Sequence, residues 1–134
     1  MIGGVIVTRL RADITVTGLV VARTWFENAP SAPANPYIVV HHIFTERPTH
    51  LRGDTSVAKG RYQVNCYGIT AASAASVASA VKASLHGIID TAFGGVHVES
   101  SRVINEQAIY TEPQSNQNLG LFGQMVEAEI WYRE

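Results

Sequence analysis

The sequence predicts an α+β fold, with a mostly antiparallel sheet of about five or six strands packed against one long helix and a short N-terminal helix or helices. Two observations lead to this prediction. Several segments alternate apolar and polar residues with the period of a half-buried strand, and one Ala/Ser-rich segment places apolar residues at helical spacing. The length of 134 residues predicts a single domain, 1–134.

The long helix is predicted between Thr70, a residue type that caps helix N-termini, and Gly87, which suits the left-handed conformation that ends a helix. The apolar residues between them fall on one stripe of a helical surface. This stripe consists of Ala74, Val77, Ala78, Val81 and Leu85. The small Ala and Ser residues around it predict close packing on the sheet, so the helix is assigned a structural role.

The strand patterns fall in five segments. Tyr37–Phe44 is a nearly continuous apolar and β-branched run, typical of a central strand buried on both faces. Residues alternate in Arg61–Tyr67, Val96–Ser101 and Gln124–Glu134, and Ile104–Glu112 is the expected partner of Val96–Ser101 in a hairpin or meander. The inward positions of two of these strands are predicted to be Tyr62, Val64, Cys66, Val126, Ala128, Ile130 and Tyr132.

The N-terminal part and the connections carry weaker patterns. Residues 1–25 are rich in Gly and β-branched residues, and we predict short helices there, followed by a short strand at Val20–Trp25. Three prolines between Pro30 and Pro36 predict an exposed connector. Thr45–Gly60 is predicted to be a long loop, and Pro113–Gly123 a polar turn region.

Composition excludes several classes of protein. The net charge is −1 and no basic stripe occurs, which argues against a sequence-specific nucleic-acid partner and against a membrane surface. A single Cys66 rules out an intrachain disulfide. The N-terminal apolar run is short and precedes Arg9 and Arg11, the reverse of the order in a signal peptide, so we expect a protein made in the cytoplasm.

No residues are assigned to catalysis, to a cofactor or to a metal. His41 and His42 are adjacent in a strand, so they point to opposite faces and cannot hold one ion together. Cys66 lies on the inward register of its strand, where a cysteine is usually a small buried hydrophobe. The Arg52–Asp54 tripeptide RGD is interpreted as a turn, and the Gly94–Gly95 pair lacks the lysine and spacing of a phosphate loop.

The carboxylates do not suggest a site either. Glu99, Glu106, Glu112, Glu127 and Glu129 fall at outward positions of strands or in turns, which predicts a solvated sheet face. The sequence therefore predicts a rigid domain that is not an enzyme and needs no cofactor.

Three stretches in a fixed order resemble a known family. A connector enters PYIVV at Pro36–Val40, the stretch RYQVNCYGITAASAASVASAVKASLHG covers Arg61–Gly87, and a final strand ends in AEIWYRE. Over nearly the whole chain this order is similar to the tail-terminator, or tail-completion, proteins of long-tailed bacteriophages. The match lies in packing patterns rather than in a catalytic motif.

The resemblance implies a structural virion protein in the neck region of the tail, assembled in the cytoplasm of a host bacterium. It implies a homo-oligomeric, hexameric ring on the head-proximal end of the tail tube, which ends tube polymerisation and docks to the head connector. The implied partners are the tail tube protein and the connector or stopper protein. Two alternatives stay open, a head-completion or stopper protein of the same neck and a small ligand-binding or enzymatic α+β domain.

Within this hypothesis Thr45–Gly60 is expected to protrude and to contact a neighbouring subunit or the tube. Its charged residues would set orientation and partner choice more than affinity. These predicted interface residues are Glu46, Arg47, Arg52, Asp54 and Lys59.

Overall fold

The computed structural model describes residues 2–21, 23–28, 36–47, 49–50, 53–54, 57–93, 95–111 and 121–133. Within these ranges the fold is α+β, with a six-stranded mixed sheet, a two-stranded ribbon and three helices. The helices are α1 (Ile2–Ala12), α2 (Ile14–Val20) and α3 (Ala71–Leu85). The strands are β1 (Thr24–Phe26), β2 (Tyr37–Glu46), β3 (Thr49–His50), β4 (Gly53–Asp54), β5 (Val57–Gly68), β6 (Ile88–Phe93), β7 (Val96–Thr111) and β8 (Leu121–Arg133).

The main sheet has the strand order β1-β2-β5-β8-β7-β6, and β3 and β4 form the separate ribbon. The sheet is mixed because β1 runs parallel to β2, whereas the other neighbouring strands of this sheet pair antiparallel. None of the described helices combines the length and the hydropathy that a membrane span requires.

The core lies between the helices and one face of the sheet. All five residues of the predicted stripe on α3 are buried, and α3 packs on β5 and β8. The inward alternation of β5 is also confirmed, since Tyr62, Val64 and Cys66 are almost fully inaccessible to solvent. Burial of these apolar side chains is the main source of stability in a domain of this size.

The two N-terminal helices, α1 and α2, complete the helical layer. The sequence predicted one long helix for this layer and a short N-terminal helix or helices. In α1 the side chains of Ile6 and Leu10, one turn apart, enter the core. Asp13 caps α2 by accepting hydrogen bonds from the Thr15 and Val16 backbone N–H groups at 2.9 and 3.1 Å. The apolar positions of this Gly-rich start therefore form helices because tertiary burial compensates for weak helix propensity.

Two strand predictions near β2 were wrong in extent. The short strand expected at Val20–Trp25 is β1, Thr24–Phe26, because Val20 still belongs to α2. Tyr37–Phe44 is buried only as far as Val40, because β1 pairs with β2 only up to that residue and leaves the rest of the strand on an open edge.

The hairpin predicted between Val96–Ser101 and Ile104–Glu112 does not exist. Both segments belong to β7, whose described bounds end at Thr111, and β8 pairs along most of its length. Two irregularities in register, one after Val98 and one after Val103, bend the strand without ending it. The actual partner of Val96–Ser101 on its other side is β6, which sequence analysis did not predict as a strand.

The connections differ in how much of them the structure describes. The Pro-rich connector at 29–35 and the polar turn region at 113–120 lie outside the described residues, and 121–123 belong to β8. Thr45–Gly60 is not simply a loop, because its first and last residues extend β2 and β5 and its middle contains the β3–β4 ribbon.

The ends of α3 agree with the predicted caps. The Thr70 hydroxyl oxygen accepts a hydrogen bond from the Ser73 N–H at 3.1 Å, and Gly87 adopts a left-handed φ of +76°. The substitution Thr70→Ala should lower the free energy of unfolding by about 1 kcal/mol, because the Ser73 N–H loses its partner. Urea unfolding followed by circular dichroism measures this change. Thr70→Ser keeps the hydroxyl and should be near neutral; equal losses in both variants would contradict a capping role.

Candidate interaction surface

The residues predicted to contact a partner lie on an extension of the sheet, which we call the arm and define as Thr45–Gly60. Its two sides are the end of β2 and the start of β5, paired antiparallel at Thr45 with Gly60 and at Glu46 with Lys59. Between them β3 pairs with β4, through Thr49 with Asp54 and His50 with Gly53. The described part of the arm is therefore hydrogen-bonded antiparallel structure.

Two of the predicted interface residues meet across the arm. The Lys59 ammonium lies 2.9 Å from a carboxylate oxygen of Glu46 and 5.4 Å from the centre of the Trp131 ring. The hydrogen bond to Glu46 raises the pKa of Lys59 above its ordinary value. The Glu46 side chain is exposed, so this ion pair contributes little to the free energy of unfolding. Its effect is to orient the two side chains.

The other three predicted residues are described less fully. Arg47 follows β2 and has an exposed side chain. Asp54 belongs to β4, but its side chain lies outside the described part of the structure, as does the whole of Arg52. The interpretation of the RGD tripeptide as a turn therefore stays a prediction.

At Gly60, the last residue of the arm, the chain passes over an aromatic ring. A Cβ atom at this position would lie 2.7 Å from a ring carbon of Tyr62, which is fully buried. On the opposite strand an irregularity at Ile43 shifts the register between His42 and Phe44. Such bulges bend a strand. On the other side of the arm, Val57–Gly60 stay in the main sheet, paired with Ile130–Arg133 of β8, and Ala58 is buried. Within the described residues, the ribbon of β3 and β4 is therefore the part of the arm outside the main sheet.

Charged side chains continue along the sheet face that α3 does not cover. The Arg61 guanidinium donates to Glu127 at 2.7 Å from Nε, and its Nη2 lies 2.6 Å from the same oxygen. The Glu127 side chain is only 14% exposed, so the prediction of a solvated carboxylate was wrong for this residue. Arg61 faces Glu129 across the β5–β8 ladder, a cross-strand arrangement that periodicity within either strand could not reveal.

Cys66 is the residue on which an enzymatic function would most readily depend. Its side chain is fully buried in the core, and this burial raises the pKa of the thiol far above its ordinary value. A nucleophilic cysteine needs the opposite environment, one that stabilises the thiolate and admits a substrate. The geometry therefore supports the prediction that Cys66 is a packing residue.

The neighbouring residues His41 and His42 occupy two different environments. His41 Nδ1 lies 3.5 Å from Glu27. His42 Nε2 lies 2.7 Å from the Thr45 hydroxyl, and the centre of its ring lies 5.2 Å from that of the Tyr62 ring at an interplanar angle of 48°. The two neighbours thus contact different groups, as the alternation of a strand requires.

Among the described residues, Asp90, His97 and Glu99 form a group of possible metal ligands that the sequence patterns did not indicate. His97 Nε2 lies 2.8 Å from Asp90 and 3.6 Å from Glu99, and these three ligand atoms are close enough to share an ion. Arg133 also contacts Glu99, and Asp90 is largely exposed. The group was missed because Asp90 was not recognised as part of a strand beside β7. An imidazole held between two carboxylates and an arginine is explained equally well as an ion-pair network.

A groove of about 300 Å³ lies beside the N-terminus of α3. It is lined by Ala71, Ala108, Ile109, Phe122, Gly123 and Gln124. None of these side chains is charged, and Gln124 is the one polar side chain among them, so the groove lacks the acid, base or nucleophile that the enzymatic alternative needs.

Comparison with known proteins shows the family of the chain. A model of the tail completion protein gp17 family matches residues 4–132. The chain belongs to the tail completion protein gp17 family. It is thus a member of a family of structural phage tail proteins, and the resemblance noted in the sequence is confirmed.

A solved structure shares the fold of this chain. A chain from the virion of a native gene transfer agent (GTA) particle superposes with a TM-score of 0.71 at 16% identity, covering 96% of this chain and 92% of that one. A second solved chain reaches a TM-score of 0.48 at 16% identity over 95% and 94% of the two chains, which is too low to support an argument. No curated protein matches the sequence.

The reactivity of Cys66 separates a packing role from a catalytic one. We expect the thiol of the folded protein to react very slowly with a disulfide reagent at pH 8, because burial keeps it protonated and inaccessible. The rate should rise to that of a free cysteine when the protein is unfolded in denaturant. A fast reaction in the folded state, with a rate that changes with pH below 8, would instead indicate an activated thiolate.

The close contact at Gly60 predicts an asymmetric effect of two glycine substitutions. Gly60→Ala should lower the free energy of unfolding by about 1–3 kcal/mol, because the buried Tyr62 ring has no room to move away. The matched control is Gly18→Ala in α2, where an added methyl group meets nothing within 4 Å and should be neutral or stabilising. Chemical denaturation measures both, and equal effects would show that Tyr62 does not constrain the arm.

Proposed function

We propose that the protein forms a ring on the head-proximal end of the phage tail tube, where it ends tube polymerisation and provides the docking surface for the head connector. The observation that carries the proposal is the family match over residues 4–132. The ring would be a hexamer in the neck region of the virion, assembled in the cytoplasm of the host. Its partners would be the tail tube protein and the connector or stopper protein.

The architecture suits such a subunit. A closed ring requires a head-to-tail interface, in which two different patches of each subunit complement one another. The arm offers one such patch, because its ribbon lies outside the main sheet and it carries charges of both signs. Charges at the rim of an interface influence orientation and partner choice more than affinity, which is the role we assign to Glu46, Arg47, Arg52, Asp54 and Lys59.

The first test is whether the protein forms rings. Light scattering over a concentration series gives its mass in solution, and negative-stain electron microscopy of the same samples shows whether closed rings form. Rings that attach to one end of purified tail tubes would support the tail-terminator function. Rings that bind head connectors but leave tubes free to grow would support the stopper alternative. A chain that stays monomeric even with tube ends would overturn the ring.

Shortening the arm should leave the fold intact and prevent assembly on the tube. Because Thr49 and Asp54 are paired, a Gly-Gly turn between them can replace residues 50–53 without stretching the strands that carry it. We expect the urea midpoint of this variant to match that of the parent protein, since no described core residue is removed, and tube capping to be lost. The matched control replaces the side chains of Thr49 and His50 by Ser and keeps the length. Full capping by the shortened protein would show that the tip of the arm contacts no partner.

A further inference from the structure

The main sheet has two incompletely paired edges at its opposite ends. On one side β1 pairs with β2 only through Ile38–Val40. The chain then turns away at Glu27, whose φ is +66°, so no described strand lies beside His41–Glu46 on that side. On the other side β6 is the last strand, and among the described residues it pairs only with β7.

These two edges are suited to bind an extended strand. Each has six residues, a span of about 20 Å, and each carries an irregularity, a register shift at Ile43 in β2 and a left-handed φ of +51° at Asp90 in β6, so pairing would use the extended residues on either side. Exposed apolar side chains lie on both, Ile43 at 45% and Phe44 at 40% on the β2 edge and Ile89 at 74% on β6. Natural proteins usually protect such edges with charge or cover them, and here Glu27 occupies only the first position, accepting the His42 N–H at 2.8 Å.

The side chains of the two edges differ in type. The β2 edge presents the imidazoles of His41, which lies 3.5 Å from Glu27, and of His42, which contacts the Thr45 hydroxyl, while Glu46 contacts Lys59. The β6 edge presents the Asp90 carboxylate, which is 74% exposed although it lies 2.8 Å from His97. Pairing of unlike edges can place this exposed carboxylate beside an imidazole, whereas pairing of two β6 edges can place two carboxylates together.

We propose that β6 of one copy pairs with the His41–Glu46 edge of the next copy, so that the sheet continues from subunit to subunit. Main-chain hydrogen bonds would supply the contact, and the apolar and charged side chains would select the register. Because the two edges lie at opposite ends of one sheet, the contact is heterologous and can close a ring. This inference rests on the proposed function and specifies the surface that builds the ring.

Cross-linking between the two edges tests the inference. In a Cys66→Ala background we would introduce Thr45→Cys and Thr91→Cys together and treat the protein with a short bis-maleimide. Within one chain the two edges are separated by β5, β8 and β7, a distance of about 19 Å, so short cross-links must join different copies. We expect a ladder of covalent oligomers extending to the full ring on a denaturing gel.

Matched variants make the ladder interpretable. Each single-cysteine variant can join at most two copies, so oligomers above the dimer require both edges. The control pair Thr45→Cys and Thr8→Cys replaces the same residue type on α1, whose Thr8 hydroxyl is exposed, and should give no ladder. Equal urea midpoints would show that every variant is folded.

The outcomes distinguish this inference from the proposed function. Rings seen by electron microscopy without a ladder would overturn the edge pairing and leave the ring intact. A ladder of equal strength from the control pair would also overturn it, because cross-linking would then not report the edges. Protein that stays monomeric even with tube ends would overturn both the ring and the edge pairing that depends on it.

Discussion

The register between β5 and β8 is the constraint on which the rest of the sheet depends. Tyr62 opposite Ala128 and Val64 opposite Val126 place apolar side chains from both strands under α3. A shift of one residue would place Arg61 and Glu127 in the core and expose the apolar side chains that face α3. The free-energy cost of burying these charged groups and exposing the apolar ones excludes that register. β2 and β7 then add to the outer sides of this fixed pair, so their positions follow from it.

Outside the core, polar side-chain contacts hold the helices and strands against one another. Arg9 donates to the Ser84 carbonyl at 3.0 Å, and Arg11 donates to the Thr24 carbonyl, so α1 is held against both α3 and β1. Arg61 and Glu127 perform a comparable role on the uncovered sheet face. A subunit of an assembly benefits from such rigidity, because partners that change shape little on binding lose less entropy.

A structural function is consistent with the chemistry as well as with the family. Burial raises the pKa of the one thiol, and the side chains of His41, His42, His86 and His97 contact carboxylate, hydroxyl and backbone groups that explain their positions. Among the described residues, the arm and the two strand edges expose extended structure. Those are features that other protein chains recognise, whereas small molecules need concave sites with convergent polar groups.

The sequence by itself determined the elements whose patterns are local. α3, with its cap at Thr70 and its buried stripe, and the inward positions of β5 and β8 could be predicted because periodicity within one segment reports which face is buried. The family resemblance rested on the same packing patterns. Only the tertiary structure decided that β7 is one strand, that β6 borders it, that Glu127 pairs with Arg61 and that β2 is open beyond Val40. Each of these depends on a partner strand distant in sequence, and a pairing register leaves no signal within the segment that it positions.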